Sequence, residues 1–256
     1  MIDRLDIILV KKGLAQSRSQ AAELIKESVI YLDGKVLKKS SQKVDFDSDI
    51  EVRKKNIFVG RGAHKLEGAY KDFELDFQEK VVGDMGASTG GFSEFALLNG
   101  AKRIYAVDVG HDQLAMTLRN NEKVKNLEGI NIKDGLVLPE LCDLIVVDLS
   151  FISLSLVLKN ILNVLSSEGE LVCLVKPQFE VGRSGIEKNG LVRDKVLIKE
   201  ALIKIYKELY SLGCSLKGVK PCAIKGKTGN QEFFFYAVKG KLNKVIKEED
   251  IQNMEI

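Results

Sequence analysis

The segment Val81-Val82-Gly83-Asp84-Met85-Gly86-Ala87-Ser88-Thr89-Gly90-Gly91-Phe92 constrains this chain more than any other. An apolar strand runs into an acidic residue, then into a loop of small residues that opens a helix. Glycines remove the Cβ and admit positive φ, so another group can lie against bare backbone. The helix start behind the loop offers unpaired N–H groups. Two phosphate-binding signatures are excluded. A dinucleotide fingerprint needs Gly-x-Gly-x-x-Gly, and Ala87-Ser88 stands where its second glycine belongs. A Walker loop needs Gly-Lys-Ser/Thr at the helix start, where this chain has Gly90-Gly91-Phe92. A tight strand-to-helix turn without any ligand is the plain alternative.

A second apolar strand, Arg103-Ile104-Tyr105-Ala106-Val107-Asp108, ends in a carboxylate about twenty residues on. In a doubly wound sheet an acid at that place accepts hydrogen bonds from ribose hydroxyls. A small-residue loop with Asp84, Gly86, Ser88, Thr89 and Gly90, and Asp108 on the next strand, suits a nucleoside cofactor that carries a cation rather than a phosphate. S-adenosylmethionine, with its sulfonium, is of that kind. Asp84 is expected to face its cation, Asp108 to hold its ribose, and Gly90 to admit its methionine part.

The chain reads as two domains. Residues 3–12 form an amphipathic helix stopped by Gly13, and Ser17 or Ser19 caps a second that runs to about Glu27. Val29–Leu32 and Lys35–Leu37 flank Asp33-Gly34, a two-residue hairpin signal, and Asp49–Val52 adds another strand. The expected boundaries are 1–53 for this small α+β domain, 54–60 for a polar linker and 61–256 for the remainder. From there strand and helix alternate, with strands near 79–84, 103–108, 126–132, 144–148 and 170–175. A helix at about 191–211 precedes strands near 215–222 and 232–238, which a short loop forces antiparallel. The fold class is α/β, a seven-stranded Rossmann-like sheet. Gly226-Lys227-Thr228 resembles the end of a Walker motif, but Pro221 occupies the position of its first glycine.

The net charge of +3 lies wholly in the first sixty residues, which carry twelve Lys/Arg against nine Asp/Glu, while the remainder carries twenty-seven of each. A small module with one basic side suggests a polyanion partner. Four cysteines without metal spacing, and only two histidines, point to buried thiols of a cytoplasmic protein and to no metal site. Asp3, Arg4 and Asp6 interrupt any signal sequence. Residues 144–165 are apolar enough to imitate a membrane span. Asp148 and Lys159 sit inside them, each costing about 2.5–3.5 kcal/mol near a bilayer centre, and the stretch parses as strand, turn and helix.

Ligands of open α/β sheets bind outside the carboxyl ends of the strands. Asp148 ends the fourth strand and Lys176 the fifth, Glu232 begins the final antiparallel strand, and Lys65 precedes the first on a helix. Two lysines and two carboxylates are therefore expected at one edge. Structural ion pairing is the alternative to chemistry there.

Two resemblances follow from these residues. Arg4-Leu5-Asp6, Gly13-Leu14, Ser17-Arg18-Ser19-Gln20-Ala21, Leu24-Ile25 and Asp33-Gly34-Lys35 resemble the S4 RNA-binding domain, with the usual glycine before the hairpin replaced near Ser28. That resemblance implies RNA contacts from Arg4, Lys11, Arg18 and Lys26. Lys65, Asp148, Lys176 and Glu232 resemble the Lys-Asp-Lys-Glu tetrad of FtsJ-like ribose 2′-O-methyltransferases. Together with Arg61–Leu66, Asp84–Phe92, Asp148–Ser153, Lys176–Glu180, Gly182-Arg183, Val192–Asp194 and Gly229–Phe233, the whole chain resembles the TlyA family, also called haemolysin A. Ala63 stands where a glycine is more usual, and Asp112 where a small residue is common.

The resemblance implies an rRNA cytidine 2′-O-methyltransferase that uses S-adenosylmethionine and needs no metal, with ribosomal RNA or ribosomal subunits as partner. Within the family, members with short termini are associated with large-subunit rRNA only, which favours that subunit here while leaving the target nucleotide and the choice of one or both subunits open. Lys176 would accept or polarise the hydroxyl proton, Asp148 would orient it, and Glu232 would fix the lysine pair. Two other readings are an inactive RNA-binding assembly factor, which predicts a broken loop or tetrad, and a pore-forming haemolysin, which predicts a secretion signal and a membrane-insertion device. A pseudouridine synthase would share the S4-like part but not the loop from Gly86 to Gly91.

Overall fold

The computed structural model describes residues 1–52, 58–182, 185–226 and 228–256. Parts of the expected linker, Arg183 and Lys227 therefore lie outside the described residues. The chain divides into two compact units, Met1–Ile57 and Phe58–Ile256.

In the first unit β1 (Ile2–Arg4) leads into α1 (Leu5–Lys11), followed by α2 (Arg18–Lys26), β2 (Ile30–Leu32), β3 (Lys35–Val36), β4 (Lys43–Asp45) and β5 (Ile50–Val52). The expected helix over 3–12 is thus shorter. Residues 2–4 pair antiparallel with β4, some forty positions away, and local periodicity carries no record of such a pairing. Ser17 caps α2 by accepting from the Gln20 N–H. Ser28 takes φ 60, the left-handed conformation that explains a glycine preference there. Asp33 and Gly34 both have positive φ, as a two-residue hairpin turn demands. Leu5, Ile8, Leu9, Leu24, Ile25 and Ile30 fill the small core.

The second unit continues with α3 (Gly62–Phe73), β6 (Val81–Met85), α4 (Gly91–Leu98), β7 (Arg103–Asp108), α5 (Met116–Arg119), β8 (Val124–Glu128) and β9 (Cys142–Val147). Next come α6 (Leu158–Asn163), β10 (Leu165–Val175), α7 (Pro177–Glu180), α8 (Lys195–Ser211), β11 (Cys214–Pro221), β12 (Phe233–Lys239) and α9 (Glu248–Asn253). The seven strands order as β11-β12-β10-β9-β6-β7-β8. Only β12 runs against its neighbours. The third strand ends earlier than expected, at Glu128, because Gly129 turns the chain at φ 77. The long helix begins at Lys195, where the Asp194 side chain accepts from the Val196 N–H.

Alternation along the strands separates the core into two layers. Leu144 and Val146 face one layer with Ala63, Leu66, Phe92 and Phe95 from α3 and α4. Ile145 and Val147 face the other with Leu158, Ile161, Ile198 and Leu202 from α6 and α8. The apolar stretch over 144–165 is consumed as strand, 3-10 turn and helix. Among the described residues no helix is long and apolar enough to cross a membrane. All four cysteines are buried thiols.

The first unit has a small core, so one deletion there should be decisive. Ile30→Ala is expected to cost about 2–5 kcal/mol, a large share of what a unit of this size holds. Limited proteolysis should digest the first unit of the variant and leave a fragment beginning near Phe58. A full-length chain that resists digestion would show that the small core tolerates the cavity.

Candidate active site

The loop after β6 is built on contacts within the protein. Gly86 has φ 90, and a Cβ there would lie 2.7 Å from the Asp148 carbonyl oxygen. Its freedom lets the ends of β6 and β9 close on each other. The Gly86 and Ala87 N–H groups donate to the Val107 carbonyl at 2.8 and 3.1 Å, fixing the loop to β7. Gly90 was expected to make room for a ligand. Instead, a Cβ there would meet Leu118 Cδ1 at 2.2 Å and Leu114 Cδ1 at 2.8 Å. With φ 94, Gly90 serves the packing of α4 beside α5. Ser88 and Thr89 are exposed at the tip of the loop.

Asp108 closes the loop from the neighbouring strand. Its Oδ2 accepts from the Ser88 N–H and its Oδ1 from the Gly110 N–H, both at 2.8 Å. Asp84, expected to face a cation, is turned inward. Its Oδ2 accepts from the Ser93 N–H and hydroxyl at 2.9 and 2.7 Å, pinning the first turn of α4. Its Oδ1 is enclosed with no hydrogen-bond partner. Burial pushes the Asp84 carboxyl up to about 7, against the pull of the Ser93 hydrogen bonds. Residues 58–60, within the span read as linker, lie on this unit. The Val59 N–H donates to Glu94 at 2.6 Å, and the Gly60 carbonyl accepts from the Ala63 N–H.

At the strand ends the four expected residues meet. Lys65 Nζ lies 2.7 Å from Glu232 Oε2 and 3.6 Å from Asp148 Oδ2. Lys176 Nζ lies 2.6 Å from Asp148 Oδ1 as an ion pair. The charges alternate as Glu232, Lys65, Asp148, Lys176. Burial favours neutral Lys65, but Asp148 and then Glu232 outweigh it and raise its pKa, so Lys65 is held as a cation. Lys176 also donates to Ser150 Oγ at 2.8 Å.

Two neighbours carried no assigned role in the sequence reading. Ser150 is the hydroxyl partner of Lys176. Phe151 is 92% exposed and takes φ 65, a conformation that is an outlier for a bulky side chain. Its ring lies 5.3 Å from that of Phe179, over which Lys176 Nζ sits at 5.9 Å. Nothing in hydrophobic patterning marks an exposed aromatic. In the first unit, Arg4 and Arg18 both bond to Asp6, and Lys11 pairs with Asp3 at 2.9 Å. Lys26 is exposed.

Two mutations test this geometry. Gly90→Ala forces a side chain into Leu118 and is expected to cost about 1–3 kcal/mol by overpacking. The thermal midpoint should drop by about 2–4 °C for each kcal/mol, and an unchanged midpoint would return Gly90 to a role toward a ligand.

For Asp84, the folded carboxyl titrates near 7 and the unfolded one near 3.8. The folded chain therefore keeps a proton that the unfolded chain has lost. This contribution favours folding at acidic pH and is lost as pH rises through about 7. Asp84→Asn has no such titration, so its stability relative to the parent should grow between about pH 5 and about pH 8 in urea unfolding. A constant difference across that range would contradict the assignment.

Comparison with known proteins agrees with this architecture. A family model described as FtsJ-like methyltransferase matches residues 58–239, and one described as S4 domain matches residues 3–50. The 16S/23S rRNA (cytidine-2′-O)-methyltransferase TlyA of Mycobacterium tuberculosis is 41% identical over 91% of this chain and 88% of its own. The 23S rRNA (cytidine-2′-O)-methyltransferase TlyA of Campylobacter jejuni is 34% identical over 90% and 97%. A solved structure from Streptococcus thermophilus, provisionally termed a haemolysin, superposes with a TM-score of 0.75 at 34% identity, covering 98% of this chain and 93% of that one. With an S4 domain ahead of an FtsJ-like methyltransferase domain, the chain belongs to the TlyA (haemolysin A) family.

Proposed function

We propose that this protein methylates the 2′-hydroxyl of a cytidine in ribosomal RNA, in the cytoplasm, using S-adenosylmethionine. The single observation that carries the reading is the alternating chain Glu232–Lys65–Asp148–Lys176 at the strand ends that also bear the Gly86–Gly90 loop. Two of its relatives, from Mycobacterium tuberculosis and Campylobacter jejuni, are named for cytidine 2′-O-methylation of rRNA.

The residues fit the cofactor. Each Asp108 oxygen accepts one backbone N–H and keeps a lone pair for a ribose hydroxyl. The orphaned Asp84 Oδ1 leaves an unsatisfied acceptor beneath the loop. When bound, S-adenosylmethionine supplies a methyl carbon on a sulfonium leaving group.

The protein has to align a weak nucleophile and remove its proton. Alignment of reacting groups is worth about 7–11 kcal/mol. Lys65 is clamped between two carboxylates and stays a fixed cation, so proton handling falls to Lys176. Asp148 and Ser150 set the position of its Nζ, where it polarises the ribose 2′-hydroxyl or, in its neutral form, accepts the proton. Glu232 acts through Lys65, on which Asp148 leans in turn. The exposed Phe151 ring offers a face on which a base drawn out of its stack can rest.

Lys176→Ala should leave cofactor and RNA binding near parental values while single-turnover methylation falls by about two to four orders of magnitude. Losses from Lys65→Ala and Glu232→Ala should combine with it non-additively. Asp108→Ala should weaken S-adenosylmethionine binding by at least about tenfold, or about 1.4 kcal/mol, in calorimetry. Undiminished methylation by Lys176→Ala would remove it from the chemistry. Mapping rRNA 2′-O-methyls with and without the gene would test the substrate, and an unchanged map would refute it.

A further inference from the structure

In the first unit one enclosed carboxylate holds two guanidinium groups. Asp6, in the first turn of α1, accepts from Arg4 Nε at 3.0 Å on Oδ1 and from Arg4 Nη2 at 3.1 Å on Oδ2. The same Oδ2 accepts from Arg18 Nε at 3.3 Å and Nη2 at 2.9 Å. Arg4 immediately precedes α1 and Arg18 opens α2, so two helix starts meet at this carboxylate. A helix start disfavours a cation. Asp6 offsets that field for both arginines at once.

The Asp6 side chain is 6% exposed, whereas those of Arg4 and Arg18 are 44% and 61% exposed. Each guanidinium has five N–H donors in a rigid fork. Both spend the Nε–Nη2 edge on Asp6, which leaves the Nη1 donors and one Nη2 donor for another acceptor. Two forks tied to a common oxygen are fixed relative to each other. Arg4 and then Arg18 hold the Asp6 carboxyl down at about 2 against burial, so it stays ionised near neutral pH.

We infer that Asp6 is a positioning residue for RNA binding, locking Arg4 and Arg18 side by side so that their free edges meet phosphates already ordered. The inference rests on reading this unit as RNA-binding. A buried acid between two cations looks counterproductive for binding a polyanion, since it cancels one of their charges. The benefit is preorganisation: the rotamer freedom of two long side chains is restricted before RNA arrives.

That contrast gives the test a sign. In the full chain, Asp6→Asn raises the net charge by one, and charge alone predicts tighter binding to deproteinised ribosomal RNA with a steeper salt dependence. Positioning predicts the reverse, weaker binding by about threefold or more at fixed salt, with the unit still folded by circular dichroism. Tighter or equal binding by a folded Asp6→Asn overturns the inference.

Should that variant unfold the unit, Arg4→Lys with Arg18→Lys decides. It keeps every charge but lacks the fork that grips Asp6. It should lose about threefold or more in affinity while its salt slope stays near the parental one. Parental affinity in the double lysine variant overturns the proposal. Arg18→Glu separates the two levels: binding unchanged by that reversal overturns the RNA-binding reading as well. Binding weakened by Arg18→Glu but by neither other variant removes only the role of Asp6.

Discussion

The antiparallel placement of β12 governs the active site. A parallel strand beside β10 would begin at the far edge of the sheet, and its first residue could never meet Lys176. Because β12 runs the other way, Phe233 pairs with Val175, and Glu232 and Lys176 follow on the same side. The sequence Phe233-Phe234-Phe235-Tyr236-Ala237 holds that register. It is buried on both faces between β10 and β11, and a slip by one residue would exchange the occupants of the two core layers. The position of a polar residue is thus decided by the apolar run behind it.

Four buried or half-buried charges at one edge are costly unless each has opposite neighbours. Alternation meets that condition: Asp148 lies between the lysines and Lys65 between the carboxylates. Breaking such a set by removing one member costs about 3–5 kcal/mol, because it strands a charge in a poorly hydrated place. Stability and chemistry are therefore coupled at this edge. Asp148 is the most open of the four, 19% exposed against 3% for Glu232.

How much of this the sequence disclosed depends on the range of each interaction. Strand ends were legible because buried strands are apolar runs with abrupt boundaries, and that placed Asp148, Lys176 and Glu232 at one edge, with Lys65 reaching it from the helix before the first strand. The hairpin at Asp33-Gly34 was legible because its turn demands positive φ. The pairing of residues 2–4 with 43–45 was not, since no local pattern carries it. Nor was the purpose of Gly90: a glycine that admits a ligand and one that admits Leu118 are identical in sequence. The second contact of Asp84 was hidden for a related reason. It ends its strand, and Ser93, nine residues on, binds one of its two carboxylate oxygens. Phe151 gave no signal because exposure of an aromatic and its left-handed backbone are properties of the folded chain alone.

Both units use a carboxylate to hold a pair of cations, and the choice of cation fits what each pair must do. Asp6 holds two arginines, which cannot lose a proton in a protein and present planar forks suited to phosphate oxygens. Those side chains stay largely in solvent, where a permanent charge is cheap. Asp148 holds two lysines in a more enclosed place, and lysine, unlike arginine, is a residue type that can act without its proton. One of them is gripped by a second carboxylate and kept charged, and the other is left with a hydroxyl. The asymmetry between Glu232 and Ser150 as second partners therefore distinguishes two otherwise equivalent lysines. On the role proposed for Lys176, arginine in its place would keep a cation beside Asp148 but leave no group able to take a proton.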